Sequence, residues 1–357
     1  MLNWLKNLIS KSSSPAEVAA QLTLSDRRIA KMPGLPSTLV YDQMELDSMV
    51  QTALQVKKLG VLAAPAELVP ANDSVRAARI LEFVQRAFER MEGSVEQVLY
   101  AAMDAFAKGW SVQELVFSMD AEGIWLDAVR PKNASLFGLN MDSFGRLDGL
   151  HLQFPGEPEQ DLPKEKFVIY RYRTSPAMPK GRSDLEAART HWQAKRGLIE
   201  GWRVHLERFA SPTMLGRFDR TVSADETDSL FRSLSQLANS GAMVFPKEFE
   251  VSAISGDTTA STGFIDAIDF HNREIARCIL GQTLTTDEGR RVGSLALGKV
   301  HLQVMLLQMA SLRKELADAV VTEQVIRPLV ELNFGPGDIP RYRFSETQLD
   351  AFALGAL

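Results

Sequence analysis

The sequence predicts an α+β chain in which a mixed unit is followed by two long helical rods around a small β-containing excursion. Three observations predict it. Short β-rich runs crowd between residues 110 and 172, separated by Gly, Pro, Asn and Asp. An apolar stripe then recurs at heptad-like spacing from Leu185 to Phe209. Finally, a polar linker bounded by Gly281 and Gly293 leads into a Leu- and Met-rich helix.

Residues 1–40 are polar, Ser-rich and interrupted by Pro15, Pro33 and Pro36, and read as a mobile or docking arm. Helical patterning runs from Val40 to Leu59, and the Pro-punctuated stretch Val61–Pro70 reads as extended. Two amphipathic helices follow, Ser74–Met91 and Ser94–Lys108, the first with Ala78, Leu81, Val84 and Phe88 on one face. Trp110–Met119, Gly123–Val129, Ala134–Leu139, Gly149–Phe154 and Phe167–Tyr172 have strand composition and make a small antiparallel sheet.

After Pro179 and Gly181, Ser183 and Glu186 form a capping box, in which each side chain satisfies a free N–H at a helix start. The first rod then carries Leu185, Ala188, Trp192, Ile199, Trp202, Leu206 and Phe209 along one seam, interrupted by Lys195. His191 and His205 fall on its charged side and read as solvated or interfacial. Thr213–Phe218 reads as a strand, Ala224–Ala238 as a helix, and Ala242–Phe245 with Phe249–Ile254 as a hairpin. The second rod begins near Ser261, with Phe264, Ile268, His271, Ile275 and Cys278 on one face. A third helix spans about Leu295–Leu332. Its first half is apolar nearly all round, which argues burial, and Pro328 should kink or end it.

Composition narrows the function classes. The 357 residues carry 45% hydrophobic and 24% charged side chains with a net charge of -5. No basic footprint of a sequence-specific DNA binder is evident, although a conduit that lets DNA slide does not need one. The single cysteine, Cys278, allows neither an intrachain disulfide nor a thiolate zinc cluster. The opening MLNWLKNLISKSSSP has too short an apolar stretch for a secretory signal, and no 18-residue apolar run would span a bilayer, so a cytoplasm-like compartment and no membrane are expected.

Several collinear blocks resemble the portal family of Mu-like tailed phages and prophages. They are YDQMELDSMVQTALQVKKLGVLAAPAELVPAN (Tyr41–Asn72), FAKGWSVQELVFSMDAEGIWLDAVRPKNASLFG (Phe106–Gly138), LPKEKFVIYRYR (Leu162–Arg173), GRSDLEAARTHWQAKRGLIEGWRVHLERFASPTMLGRF (Gly181–Phe218) and GQTLTTDEGRRVGSLALGKVHLQV (Gly281–Val304). The resemblance implies a portal fold and a non-enzymatic, homo-oligomeric ring of about twelve subunits, joined by head-to-tail contacts that close by rotation. Carried over by position, it implies a wing at 41–180, stem helices at 181–209 and 261–280 and a clip at 210–260. A tunnel loop at 281–294, a long kinked helix returning to the wing at 295–335 and a tail at 336–357 would follow. The stem packing would rest on Leu185, Trp192, Ile199, Trp202, Leu206, Phe264, Ile268 and Ile275. The DNA-facing loop would present Thr283, Thr285, Thr286, Arg290 and Arg291. Relatives usually continue well beyond the last helix, so a C-terminal crown is expected to be short or absent. The implied setting is a capsid vertex of the virion, after assembly in the host cytoplasm. The implied partners are the major capsid protein, the terminase large subunit, head–tail connector or adaptor proteins and non-specifically held double-stranded DNA. No cofactor and no metal are expected.

Other chemistry weighs less. Gly293–Val300 nearly spells a phosphate-binding loop, but Val300 stands where that motif needs a Mg²⁺-binding hydroxyl, and no strand precedes Gly293. A nucleotide-dependent DNA-processing enzyme is therefore the alternative, with a different head–tail adaptor as a third reading. The five histidines show no metal-ligand spacing. Glu248 and Glu250 read as one solvated strand face, and Trp192 and Trp202 as packing residues. Arg290 and Arg291 either contact phosphates or pair with Asp287 and Glu288 on a surface loop; the sequence leaves both open.

Overall fold

The structure is a computed structural model that describes residues 40–142, 146–152, 158–209, 213–218, 221–240, 249–254, 258–282 and 295–345. The N-terminal arm, Ala242–Phe245 and most of the tail lie outside the described residues. The chain divides into two compact units, residues 1–189 with 276–357 and residues 190–275.

In the first unit, α1 (Val40–Met44) leads into α2 (Ser48–Leu62), whose start is fixed by Asp47. The Asp47 carboxylate accepts from the backbone N–H of Met49 at 2.9 Å and of Val50 at 3.3 Å, satisfying two donors that a helix start leaves open. β1 (Ala66–Val69) pairs antiparallel with β10 (Arg341–Phe344), joining distant parts of the chain. α3 (Val75–Arg90) is capped by Ser74 and buries Ala77, Ile80, Phe83, Val84 and Ala87. That face is one residue off the expected one: Ala78 is exposed, and only Val84 belongs to both stripes. The choice follows Phe83, whose ring stacks on Trp125 with centroids 4.7 Å apart. The predicted helix Ser94–Lys108 is broken into α4 (Val95–Ala102) and α5 (Ala105–Lys108). Gly109, at φ 84, ends α5 and lies so close to Gly181 that neither has room for a Cβ.

Instead of one small sheet there are two of three strands, both antiparallel. The first has the order β3-β2-β7, with β2 (Trp110–Met119) between β3 (Ile124–Lys132) and β7 (Phe167–Arg171). The second has the order β4-β5-β6, formed by Phe137–Met141, Leu147–Leu152 and Gln160–Pro163. Phe137, Leu150, Leu152 and Leu162 of the second join Val112, Phe167 and Ile169 of the first in one core. Asp120 closes the β2–β3 turn. It accepts hydrogen bonds from the Trp125 indole, the N–H groups of Glu122 and Gly123, and Arg90, and these donors hold its carboxyl down to about 2.

The third long helix has three parts: α9 (Leu295–Leu316), a π-helical segment (Ala317–Ile326) and α10 (Arg327–Phe334). Pro328 sits in the first turn of α10, where its missing N–H is tolerated; the wide π turns just before it take the place of the predicted kink. Two side-chain amides from this helix act as strand partners. Gln324 accepts from Ile169 N–H at 2.7 Å and donates to Ile169 C=O at 3.0 Å, on β7. Asn333 accepts from Ile124 N–H and donates to Ile124 C=O, both at 2.8 Å, on β3. Arg313, only 4% exposed, donates to the carbonyls of Val61 and Gly60 at the end of α2.

The expected burial of the first half of this helix holds on one side only. Leu306, Met309, Leu312 and Leu316 are buried, whereas Val300, Val304 and Leu307 face solvent. An apolar composition all round does not provide covering partners all round, and the chain's own elements cover one face.

The second unit contains the distal part of α6 (Leu185–Phe209), the ribbon β8–β9 (Thr213–Phe218 with Phe249–Ile254), α7 (Ala224–Ser240) and the first part of α8 (Thr258–Leu280). β9 pairs antiparallel with β8, from Thr213↔Ile254 to Phe218↔Phe249; the expected hairpin strand Ala242–Phe245 lies outside the described residues.

Candidate assembly surfaces

The residue before α6 anchors a buried charge cluster in the first unit. The Lys57 ammonium lies 2.5 Å from the Asp184 carboxylate, donates to Tyr172 Oη at 2.9 Å and to Ile279 C=O at 3.2 Å, and faces the rings of Phe106 and Tyr172. Asp184 takes a second cation, Arg173, at 2.8 Å, and its own N–H donates to Phe106 C=O. Burial pushes the Lys57 ammonium below its ordinary value, and burial pushes the Asp184 carboxyl above its own; each opposes the shift in the other. Ser183 contributes half of the expected capping box: its Oγ accepts from Leu185 N–H at 2.9 Å and donates to Ala107 C=O. Glu186 turns instead to Arg182, at 2.9 Å. A second buried cluster joins Glu114 to Lys166 at 2.8 Å and Lys132 at 3.4 Å.

The predicted stem residues separate by exposure. Leu185, Ala188, Trp192 and Ile275 are buried, and Trp202, Phe264 and Ile268 are half-buried. Ile199 and Leu206 remain 44% and 41% exposed, and Phe270 is 48% exposed. Within the second unit, α6 and α8 meet through aromatic and imidazole contacts. The His205 and Phe264 rings lie 5.7 Å apart, and Nδ1 of His191 stands 3.1 Å from Nδ1 of His271. Both histidines of α6 thus face α8, the interfacial one of the two expected placements. At that separation one ring donates through its Nδ1–H and the other accepts, so one proton lies between the two Nδ1 atoms. Burial, then the neighbouring His191, lowers the His271 basicity. Sequence spacing missed this pair because its two members are on different helices; the available signal was one histidine near the same end of each rod. Among the described residues the buried Trp202 Nε1–H meets no hydrogen-bond acceptor. The charged side of α6 carries Arg203 paired with Glu200 and Glu207.

Thr283, Thr285, Thr286, Arg290 and Arg291 lie outside the described residues, as do Asp287 and Glu288. The phosphate-loop lookalike meets a local obstacle, since α9 begins at Leu295, before Gly298 and Lys299. Such a loop keeps its backbone N–H groups open ahead of the Gly-Lys pair, and here those residues are already helical. Among the described residues no group of three or more His, Cys, Asp or Glu could hold a metal ion, and no helix is long and apolar enough to cross a membrane.

This arrangement of two three-stranded sheets, long helices and a small β-ribbon unit is a fold already known from a particle neck. It is similar to a chain in the neck of an empty gene transfer agent particle computed with C6 symmetry, with 13% identity, a TM-score of 0.64 and coverage of 93% of this chain and 92% of that one. In sequence, the chain is 22% identical over 302 residues to the portal protein of Escherichia phage Mu, covering 83% of this chain and 57% of that protein. It is 25% identical over 334 residues to the Mu-like prophage FluMu protein gp29 of Haemophilus influenzae, covering 89% and 62%. The profile of the family described as portal protein of Mu bacteriophage matches residues 39–354. The chain belongs to that family, and it spans about three-fifths of the length of these two relatives.

Proposed function

We propose that the chain is a portal subunit, a non-enzymatic member of a closed ring at a capsid vertex through which double-stranded DNA is packaged and ejected. The reading takes about twelve copies in head-to-tail contact; the C6 symmetry of the similar neck particle is compatible with that number. Residues 41–180 serve as the wing, 181–209 and 261–280 as the stem and 210–260 as the clip. Residues 281–294 serve as the loop around DNA, 295–335 as the helix returning to the wing and 336–357 as the tail. The major capsid protein, the terminase large subunit and later the head–tail connector dock on the ring, which assembles in the host cytoplasm and ends in the virion.

The observation that carries this reading is the α6 stripe, buried at Leu185, Ala188 and Trp192 and 44% and 41% open at Ile199 and Leu206. A soluble monomer gains nothing from a long apolar row left half-covered, whereas copies standing side by side complete it. Negative-stain microscopy and native mass measurement of the purified chain test it. Rings with a central hole are expected, and a monomer persisting at high concentration beside the capsid protein would overturn the reading. Neutralising Arg290 and Arg291 should impair packaging or DNA retention and leave ring formation intact, because phosphate contacts position DNA without reading it.

A further inference from the structure

We propose that the face of α9 carrying Val300, Val304 and Leu307 is a contact surface for a second copy of this chain. The three side chains are 54%, 45% and 44% exposed. They stand four and three residues apart, so the helix sets them in a single row. The opposite row, Leu306, Met309, Leu312 and Leu316, is buried. No Asp, Glu, Lys or Arg occurs from Val300 to Leu312. The exposed row is therefore as free of charge as the covered one and is left open by the described residues.

The absence of charge selects the occupant. DNA is held chiefly by cations on its phosphates, and the row supplies none; the side-chain donors beside it, Gln303, Gln308 and Ser311, are neutral. A strongly charged protein partner would have to give up hydration against it without compensation. A second copy of the chain has apolar surface to offer, and a ring closed by head-to-tail contacts requires one such face on each flank of every copy. The row is too small to make an interface by itself, since a stable contact covers about 800 Å² on each partner. It is the dry centre of a larger contact, where deleted side chains cost most. The inference rests on the ring reading above and adds which face of the first unit meets the neighbour.

The test places a photo-crosslinking amino acid at position 304 or 307 of the full chain, with position 89 on the exposed side of α3 as control. Copies labelled with ¹⁴N and ¹⁵N are mixed before assembly. Crosslinks from 304 and 307 are expected to join differently labelled copies and to build a ladder of multimers, with none from 89. Crosslinks confined to the same copy, including its residues 346–357, or formed to DNA, would overturn the proposal. In parallel, Leu307→Ser is expected to weaken subunit association by roughly tenfold to a hundredfold, the range that burial of one Leu corresponds to. The circular dichroism of the dissociated chain should stay unchanged, because Leu307 is exposed there. If wild-type rings form and the combined Val304→Ser and Leu307→Ser variant assembles equally well, this face is not the contact and the ring reading stands. If the wild type never assembles, both fall.

Discussion

Removing either member of the Lys57–Asp184 pair should cost stability unequally, and with opposite dependence on pH. Asp184 has two cations, Lys57 at 2.5 Å and Arg173 at 2.8 Å, whereas Asp184 is the carboxylate that Lys57 meets among the described residues. In Asp184→Asn the ammonium stays buried, at 2% residue exposure, with no anion. Its cheapest escape is to lose its proton. Starting from an ordinary lysine value, that costs about 4–5 kcal/mol near neutral pH, at roughly 1.4 kcal/mol per pH unit. This sets the ceiling, in line with the ~3–5 kcal/mol measured when buried pairs are broken from one side. In Lys57→Met the carboxylate keeps Arg173, which is half-exposed and so a weaker partner, and the expected loss is about 1–3 kcal/mol. A lysine held neutral in the fold has a folded value below its unfolded one, so the unfolded chain binds the extra proton and stability rises with pH. The Asp184→Asn deficit should therefore shrink by about 3 kcal/mol between roughly pH 7 and pH 9.5. A carboxyl raised in the fold behaves in the opposite sense: its stabilising contribution is present at low pH and lost as pH rises, so the Lys57→Met deficit should shrink toward about pH 5. Urea unfolding followed by far-ultraviolet circular dichroism, each variant against wild type at the same pH, measures both. Equal deficits that ignore pH would show that this cluster does not hold its charges as the distances imply.

The histidine pair predicts a second pH dependence. Burial and His191 hold His271 below its usual basicity, so its contribution is present above about pH 6.5 and lost as pH falls below it; His271→Gln should flatten the acid side of a thermal-melt profile relative to wild type, and an unchanged profile would remove the pair from consideration. Gln324→Leu and Asn333→Leu should each cost about 1–3 kcal/mol, because each strips two hydrogen bonds from a strand backbone group. Amide hydrogen exchange should then accelerate at Ile169 in the first variant and at Ile124 in the second, and exchange rates equal to wild type at both would show that the amides are not the partners of those strands.

Much of the framework was readable from the residues, and the exceptions have physical reasons. Trp110–Met119, Thr213–Phe218 and Phe249–Ile254 form strands at the expected bounds, because β-branched and aromatic side chains favour pleated, half-buried surfaces. β1 lies inside the stretch expected to be extended, but β10 and its pairing with β1 escaped, because a four-residue strand carries little pattern and the two are at far ends of the chain. Gln160–Pro163 escaped likewise, being polar and ending in proline. The π-helical segment has no sequence period of its own; it depends on what Thr322 and Gln324 must reach, Tyr342 N–H and Ile169. For the candidate surfaces, the stem row was legible as a row. Its division into covered and open residues was not, since a 3.6 period marks an apolar face without saying which molecule covers it. The same limit applies to Val304 and Leu307, expected inside and found outside.

The two amides of the third long helix bear on a hazard that comes with crowding. A three-stranded sheet has two rims, and any rim with open N–H and C=O groups invites a strand from the next molecule. Gln324 occupies such a position on β7 and Asn333 on β3, so each rim is interrupted where a fourth strand would have to come into register. On the ring reading proposed above, copies gathered at one place can thereby cluster through their helices without their sheets fusing into fibres.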